Sequence, residues 1–145
     1  MATEAVSDGQ NHIWHIRVYY EDTDAQGIVY YANYLKFIER ARTEMFRKLD
    51  MSPSKIQHEH GALIVVSRCD LRFKRSAKLE DLLQIHTNIK LVGGAKIVLL
   101  QNVVCNDQLL VTAEVELACI NGDGRPQRVP KALTDCLLTD YRSNL

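Results

Sequence analysis

Four long runs of alternating apolar and polar residues, separated only by short turns, fill the second half of this 145-residue chain. They are Leu63 to Lys74, Asp81 to Leu91, Lys96 to Val104 and Gln108 to Ile120. A period of two is the mark of a strand with one buried face. Strands joined by short turns pair antiparallel, because a parallel partner needs a long crossover. Ahead of them lies one stretch with helical spacing, Asn33 to Leu49, and ahead of that an apolar run, His12 to Tyr20, that reads as a strand. The order strand, long helix, four strands predicts an α+β layer in which the sheet wraps the helix. Strands this long leave an edge with unpaired backbone groups, and pairing with a second copy would remove it.

In the helix, Leu35, Ile38, Arg42, Met45, Phe46 and Leu49 recur on one face, widened by Phe37 and Ala41, and Arg42 alone breaks the stripe. Asn33 or Ala32 marks its start, and Pro53 helps to stop it. Leu63, Val65, Ser67, Cys69, Leu71 and Phe73 share one strand face, with Arg68, Asp70, Arg72 and Lys74 opposite. Gly93-Gly94 and Asn106-Asp107 are turn signals, Gly122-Asp123-Gly124 ends the last strand, and Pro130 to Arg142 is a candidate short helix. Residues 1–11 are polar and acidic, without the basic start and apolar core of a signal peptide, and read as a flexible tail. Residues 12–145 read as one domain, large enough for a core.

Composition narrows the function. With 18 basic and 18 acidic residues the formal net charge is zero, which argues against a dedicated nucleic-acid binder. There is no apolar run long enough to span a membrane. Cys69, Cys105, Cys119 and Cys136 form no C-x-x-C pair and read as buried free thiols in a reducing cytoplasm.

The chemistry concentrates in Tyr20-Glu21-Asp22-Thr23-Asp24-Ala25-Gln26-Gly27-Ile28-Val29-Tyr30-Tyr31-Ala32-Asn33-Tyr34. A carboxylate, Asp24, follows a strand, a glycine turn follows it, and a helix then begins. A helix start offers unpaired N–H groups and positive dipole. A carboxylate beside them can attack a carbonyl, or activate water against it, while the donors hold the developing oxyanion. Asp22 reads as a local hydrogen-bond acceptor. Gly27 suits a positive φ or a close backbone approach. Val29 and Tyr30 read equally as acyl-pocket lining and as loop packing. An aspartate-nucleophile phosphatase would want Thr or Val where Gln26 stands, and a parallel sheet with more helices. No G-x-S-x-G, G-x-G-x-x-G or P-loop occurs. His58-Glu59-His60 has no evident third ligand, so no metal site is expected.

This stretch and its continuation, Leu35-Lys36-Phe37-Ile38-Glu39-Arg40-Ala41-Arg42-Thr43-Glu44, resemble the hotdog-fold acyl-CoA thioesterases of the 4-hydroxybenzoyl-CoA thioesterase family, and among them the Tol-Pal-associated branch. The resemblance implies a hotdog fold, a long central helix wrapped by a five-stranded antiparallel sheet. It implies hydrolysis of acyl-CoA without a cofactor, and a homodimer or homotetramer. It makes Asp24 the catalytic carboxylate, as nucleophile or general base. The backbone N–H of Tyr31 is then the oxyanion donor. The Tol-Pal-associated branch usually has histidine where Tyr31 stands and the hydroxybenzoyl branch has tyrosine, so the substrate class stays open between them. A hotdog protein that binds acyl carrier protein with little turnover is the alternative. A hotdog dehydratase would need a histidine that this motif lacks.

Gly93-Gly94, between Lys90 and Lys96, lets a phosphate approach the backbone with counter-charge nearby. Related thioesterases hold the CoA nucleotide near this turn, and a plain hairpin flanked by surface lysines is the competing reading. Arg40, Arg42, Arg72, Lys74, Arg75 and Lys78 read as solvated or ion-paired surface.

Overall fold

The structure is a computed structural model that describes residues 11–142. The expected tail over residues 1–11 lies outside the described residues except for Asn11, whose side-chain oxygen accepts from Asn88 Nδ2 at 2.6 Å. Strand β1 spans His12–Arg17, β2 Leu63–Phe73, β3 Leu82–Gly93, β4 Lys96–Cys105 and β5 Gln108–Ile120. They form one antiparallel sheet in the order β1-β3-β4-β5-β2, so β1 and β2 are its edges. Helix α1, Asn33–Lys48, lies across the concave face. This is the expected α+β architecture, a hotdog fold.

The core forms where period 2 meets period 3.6. Leu83, Ile85 and Ile89 of β3, Ile97, Leu99 and Val103 of β4, and Val111, Val115 and Leu117 of β5 are almost fully buried. Against them α1 packs Phe37, Ile38, Ala41 and Met45. Each large apolar side chain buried this way stabilises by about 1.5–3 kcal/mol. Tyr34 joins this face, whereas Leu35 is exposed, one position off the expected stripe. Helix α3, Lys131–Tyr141, covers part of β3 with Leu133, Leu137 and Tyr141.

Three local features differ from the sequence reading. Pro53 does not stop α1, which ends at Lys48 with Leu49 as its C-cap. It is the first residue of helix α2, Pro53–His60, whose N-cap Ser52 accepts from the Lys55 N–H, and the missing N–H of proline costs nothing there. His58 and His60 therefore sit in the last turn of a helix. In β2 a bulge falls between Val66 and Arg68. Before it Ile64 and Val66 oppose the core residues Cys119 and Leu117, and after it Cys69, Leu71 and Phe73 oppose Val115, Ala113 and Val111. One extra residue, Ser67, has switched the face, so Leu63 and Val65 do not share the side of Leu71. Finally, Cys69 is exposed on this edge and Cys136 half-buried, and only Cys105 and Cys119 are buried.

Turns behave as their residues require. Asn106 and Asp107 both have positive φ, 50° and 65°, as a tight hairpin with a right-handed twist needs. Gly94, at φ 60°, turns β3 into β4.

Candidate active site

The Asp24 loop is a closed turn held at both ends. The Gly27 N–H donates to the Asp24 carbonyl at 3.0 Å, and the Asp24 N–H donates to the Ile28 carbonyl at 2.9 Å. Gly27 sits at φ 81°, the positive value expected for it. Thr23 and Val29 bridge across the base of the turn. The Asp24 side chain, half-buried, accepts the Gln26 N–H through Oδ1 at 2.9 Å. Its other oxygen, Oδ2, has no hydrogen bond among the described residues, so one lone-pair face of the carboxylate remains available for chemistry. Asp22 is structural: its Oδ2 accepts the Tyr19 N–H at 2.9 Å, and its carbonyl accepts from Tyr30 N–H and Asn33 Nδ2.

The start of α1 is unusual in a way that matters here. Asn33, Tyr34 and Leu35 donate their N–H groups back three residues, to Tyr30, Tyr31 and Ala32. Ala32, the N-cap residue, has no side-chain acceptor to offer, and the Asn33 side chain is spent on Asp22. Among the described residues this leaves the Tyr31 and Ala32 N–H groups without a protein acceptor. They are the orphan donors that any helix start must direct at solvent or a ligand.

Asp24 and Tyr31 line one cleft of about 340 Å³, with Gln26, Val29, Tyr34, Phe73, Lys74 and Arg75 among the other walls. Lys74 and Arg75, read from sequence as outer strand surface, lie just past the end of β2 at this cleft. Their N–H groups share the Leu110 carbonyl. Val29 is 3% exposed and belongs largely to the core, so loop packing dominates. Tyr30 and Tyr31 are exposed, with ring centroids 5.1 Å apart, and Tyr31 meets the edge of Phe73.

One residue that the sequence reading did not single out ties this loop to the body. Tyr34, buried in the first turn of α1, accepts the Ala77 N–H on its hydroxyl at 3.1 Å. The Ala77 carbonyl accepts the Val29 N–H at 2.9 Å, and Lys78 bridges Ile28. Burial raises the Tyr34 pKa above its usual value against the lowering effect of the Ala77 bond, so the phenol stays protonated. Burial likewise raises the Cys105 and Cys119 thiols, and partial desolvation raises the exposed Cys69, all of which favours the protonated thiol.

The second expected site is rearranged. Gly93 and Gly94 line a cleft of about 290 Å³, but its cations are Arg128 and Lys131. Lys90 and Lys96 do not line it. Lys90 is the bulged residue of β3 and donates to Glu114 at 3.0 Å, and Lys96 lies 3.9 Å from Glu116. Nor does one chain join this cleft to the Asp24 cleft. The Gly93–Lys96 turn neighbours Ala118, which pairs with Val65 near the start of β2, whereas Phe73 ends β2 at the Asp24 cleft. At about 3.3 Å per residue the two ends of the strand lie roughly 30 Å apart.

Comparison with known proteins bears on this geometry. Residues 18–137 match the model of the thioesterase-like superfamily. The chain belongs to that superfamily. The acyl-CoA thioesterase YbgC of Haemophilus influenzae is 42% identical over 117 residues, 80% of this chain and 86% of that protein. The crystal structure of a probable thioesterase from Bartonella henselae is 37% identical and superposes with a TM-score of 0.78, covering 83% of this chain and 99% of that one. A 4-hydroxybenzoyl-CoA thioesterase variant crystallised with 4-hydroxybenzoyl-CoA superposes at a TM-score of 0.82, covering 88% and 99%. At 24% identity that likeness speaks for the fold alone. The superfamily match takes in the Asp24 turn, all of α1 and the Gly93-Gly94 turn.

Proposed function

We propose that this thioesterase-superfamily chain hydrolyses acyl-CoA thioesters to a free acid and CoA, with Asp24 as the reacting carboxylate. The observation that carries the reading is the pairing, in one cleft, of a carboxylate with a free oxygen and a helix start with free N–H donors. Asp24 Oδ2 attacks the thioester carbonyl, or takes a proton from the water that does. Negative charge builds on the carbonyl oxygen, and the Tyr31 N–H, with the Ala32 N–H beside it, stabilises that oxyanion. The C–S bond breaks, and CoA leaves as a thiolate. If Asp24 attacked directly, water then cleaves the mixed anhydride and regenerates the carboxylate. A thioester carbonyl is little stabilised by resonance, so this apparatus suffices.

The working unit is a homodimer paired through β2. Of the two edges, β2 is longer, 11 residues against 6, and it exposes Val65, Val66 and Phe73. An open apolar edge of this kind invites pairing. Antiparallel pairing with a second β2 sets the Phe73 end of one chain beside the Ile64 end of the other. The Asp24 cleft then faces the partner's double-glycine turn, and one CoA thioester can engage both. Arg128 and Lys131, beside the Gly93 and Gly94 backbone, supply the phosphate contacts. Free thiols throughout fit a reducing cytoplasm.

The test is release of CoA, followed with a thiol reagent, from a panel of aliphatic and aromatic acyl-CoAs. Turnover of at least one class supports the reading. No CoA release from any of them, with tight binding of acyl carrier protein, would replace hydrolysis with a binding role.

A further inference from the structure

The active-site reading makes no use of a cavity of about 280 Å³ between α1, α2 and the start of β2. Its walls include Phe46, Ile56, Ile64 and Leu117, all apolar, together with Arg42, Thr43 and the exposed Glu39. Arg42 is the residue that interrupts the apolar stripe of α1, and it is half-buried rather than solvated. Its one hydrogen bond among the described residues is long, Nη1 to Gln101 Oε1 at 3.4 Å. Gln101 cannot turn to serve it better. It is fully buried, and its amide nitrogen is already committed to the Ile38 carbonyl at 2.9 Å and Thr87 Oγ1 at 3.0 Å. Glu39 is exposed, accepts from Thr43 at 2.8 Å, and makes no ion pair with Arg42. Among the described residues, most of the guanidinium's N–H donors therefore have no acceptor.

A half-buried guanidinium without an ion pair is a costly arrangement. Burial accordingly pulls the Arg42 pKa below its usual value, opposed by the charge of Glu39 on the cavity rim. The cation remains charged, because arginine does not lose its proton in proteins. A planar fork of donors matches a carboxylate with two bonds, and the apolar walls match a hydrocarbon chain. Taking about 30 Å³ for each water-sized group, the cavity accepts a chain of medium length.

We propose that this cavity binds an amphipathic carboxylate, its hydrocarbon chain against Phe46, Ile56, Ile64 and Leu117 and its carboxylate on Arg42. Two sources share that chemistry. One is the free acid released by hydrolysis, bound at the end of turnover. The other is an acyl group with a second carboxylate at its far end, reaching in from the partner's Asp24 cleft in the β2-paired dimer. The first rests on the thioesterase reading only for the origin of the acid, and the second rests on the dimer as well.

The experiment is titration of the whole protein with octanoate by calorimetry, with octanol as an uncharged control of equal chain length. Octanoate binding that octanol does not match, weakened about tenfold or more in Arg42→Met and to a smaller degree in Arg42→Lys, which keeps the charge and loses the fork, supports the site with the released acid as its ligand. Thr43→Phe narrows the cavity and leaves Arg42 in place, so it weakens octanoate as well, and circular dichroism on each variant checks the fold. In the second arm KM is compared for adipoyl-CoA and hexanoyl-CoA. A lower KM for adipoyl-CoA that disappears in Arg42→Met, without octanoate binding, supports the site with the distal carboxylate as its ligand. The absence of both octanoate binding and an adipoyl preference in the wild-type protein overturns the proposal. Calorimetry does not require turnover, so an inactive protein that binds octanoate would refute the thioesterase reading and leave this site standing.

Discussion

Replacing Tyr34 with Phe deletes a single oxygen, and the structure says what that oxygen holds. Its hydroxyl is the acceptor for the Ala77 N–H, which is fully buried. Without it a buried donor is orphaned, at about 1–3 kcal/mol. For a domain of this length each kcal/mol lowers Tm by roughly 2–4 °C, so a mid-range loss shifts it by roughly 4–8 °C. The ring stays, and with it the contacts to Phe37 and Phe73, so the core itself is preserved. The second consequence is catalytic. Ala77 carries the Val29 N–H and Lys78 bridges Ile28, so loosening that segment loosens the turn that aims Asp24. A misaimed carboxylate loses rate much faster than it loses binding. We expect kcat to fall about tenfold with KM little changed. Urea or thermal unfolding measures the first effect, and steady-state acyl-CoA hydrolysis the second. Unchanged stability and unchanged kcat would refute the link, because the Ala77 N–H would then have found another acceptor without moving the loop.

Tyr31→Phe is expected to keep most of kcat, since the proposed mechanism uses only the main chain there, while Tyr31→Pro, which deletes the donor, is expected to abolish turnover with the fold intact by circular dichroism. A loss in Tyr31→Phe as severe as in Tyr31→Pro would put the hydroxyl into the chemistry. Arg128→Ala with Lys131→Ala should raise KM for CoA thioesters several-fold and leave kcat nearly unchanged, because nucleotide contacts bind ground and transition states alike; the same loss toward a thioester lacking the nucleotide would point to folding instead. Val65→Lys sets like charges across the paired β2 edges and should yield an inactive monomer of 16.5 kDa on sedimentation. A fully active wild-type monomer at micromolar concentration would remove both the dimer and the shared site.

Much of this was legible before any coordinates, and the reasons are local. Strand and helix types followed from periods of 2 and 3.6, which the chain keeps over long stretches. Gly27 and Asn106-Asp107 announced positive φ because few other residues adopt it cheaply. The misses are equally physical. Pro53 opens a second helix after α1 has already ended at Lys48, and the Ser52 cap before it is the signal that marks this start. The bulge at Ser67 is invisible to an alternation count, since one inserted residue moves the pattern to the other face without spoiling it. Lys90 and Lys96 flank the double glycine in sequence, but strand register aims them at Glu114 and Glu116. The cations that reach the turn, Arg128 and Lys131, come from the chain beyond β5, too distant for spacing to reveal. Arg42 stood out as the break in an apolar stripe, and burial, which sequence does not display, makes it more than surface. Tyr34 carried no signal at all, because a tyrosine at a helix start looks the same whether or not its hydroxyl holds a loop.

The role of Asp24 is settled by one variant. Asp24→Asn keeps the shape of the side chain and the Gln26 N–H bond through its carbonyl oxygen, and removes the charge that attacks or accepts a proton. With the acyl-CoA that the wild-type protein turns over best, kcat should fall at least about a hundredfold, the lower range for lost acid–base catalysis, with KM nearly unchanged. A variant that hydrolyses the same substrate at close to the wild-type kcat would show that another group performs the reaction and that the Asp24 cleft is not its site.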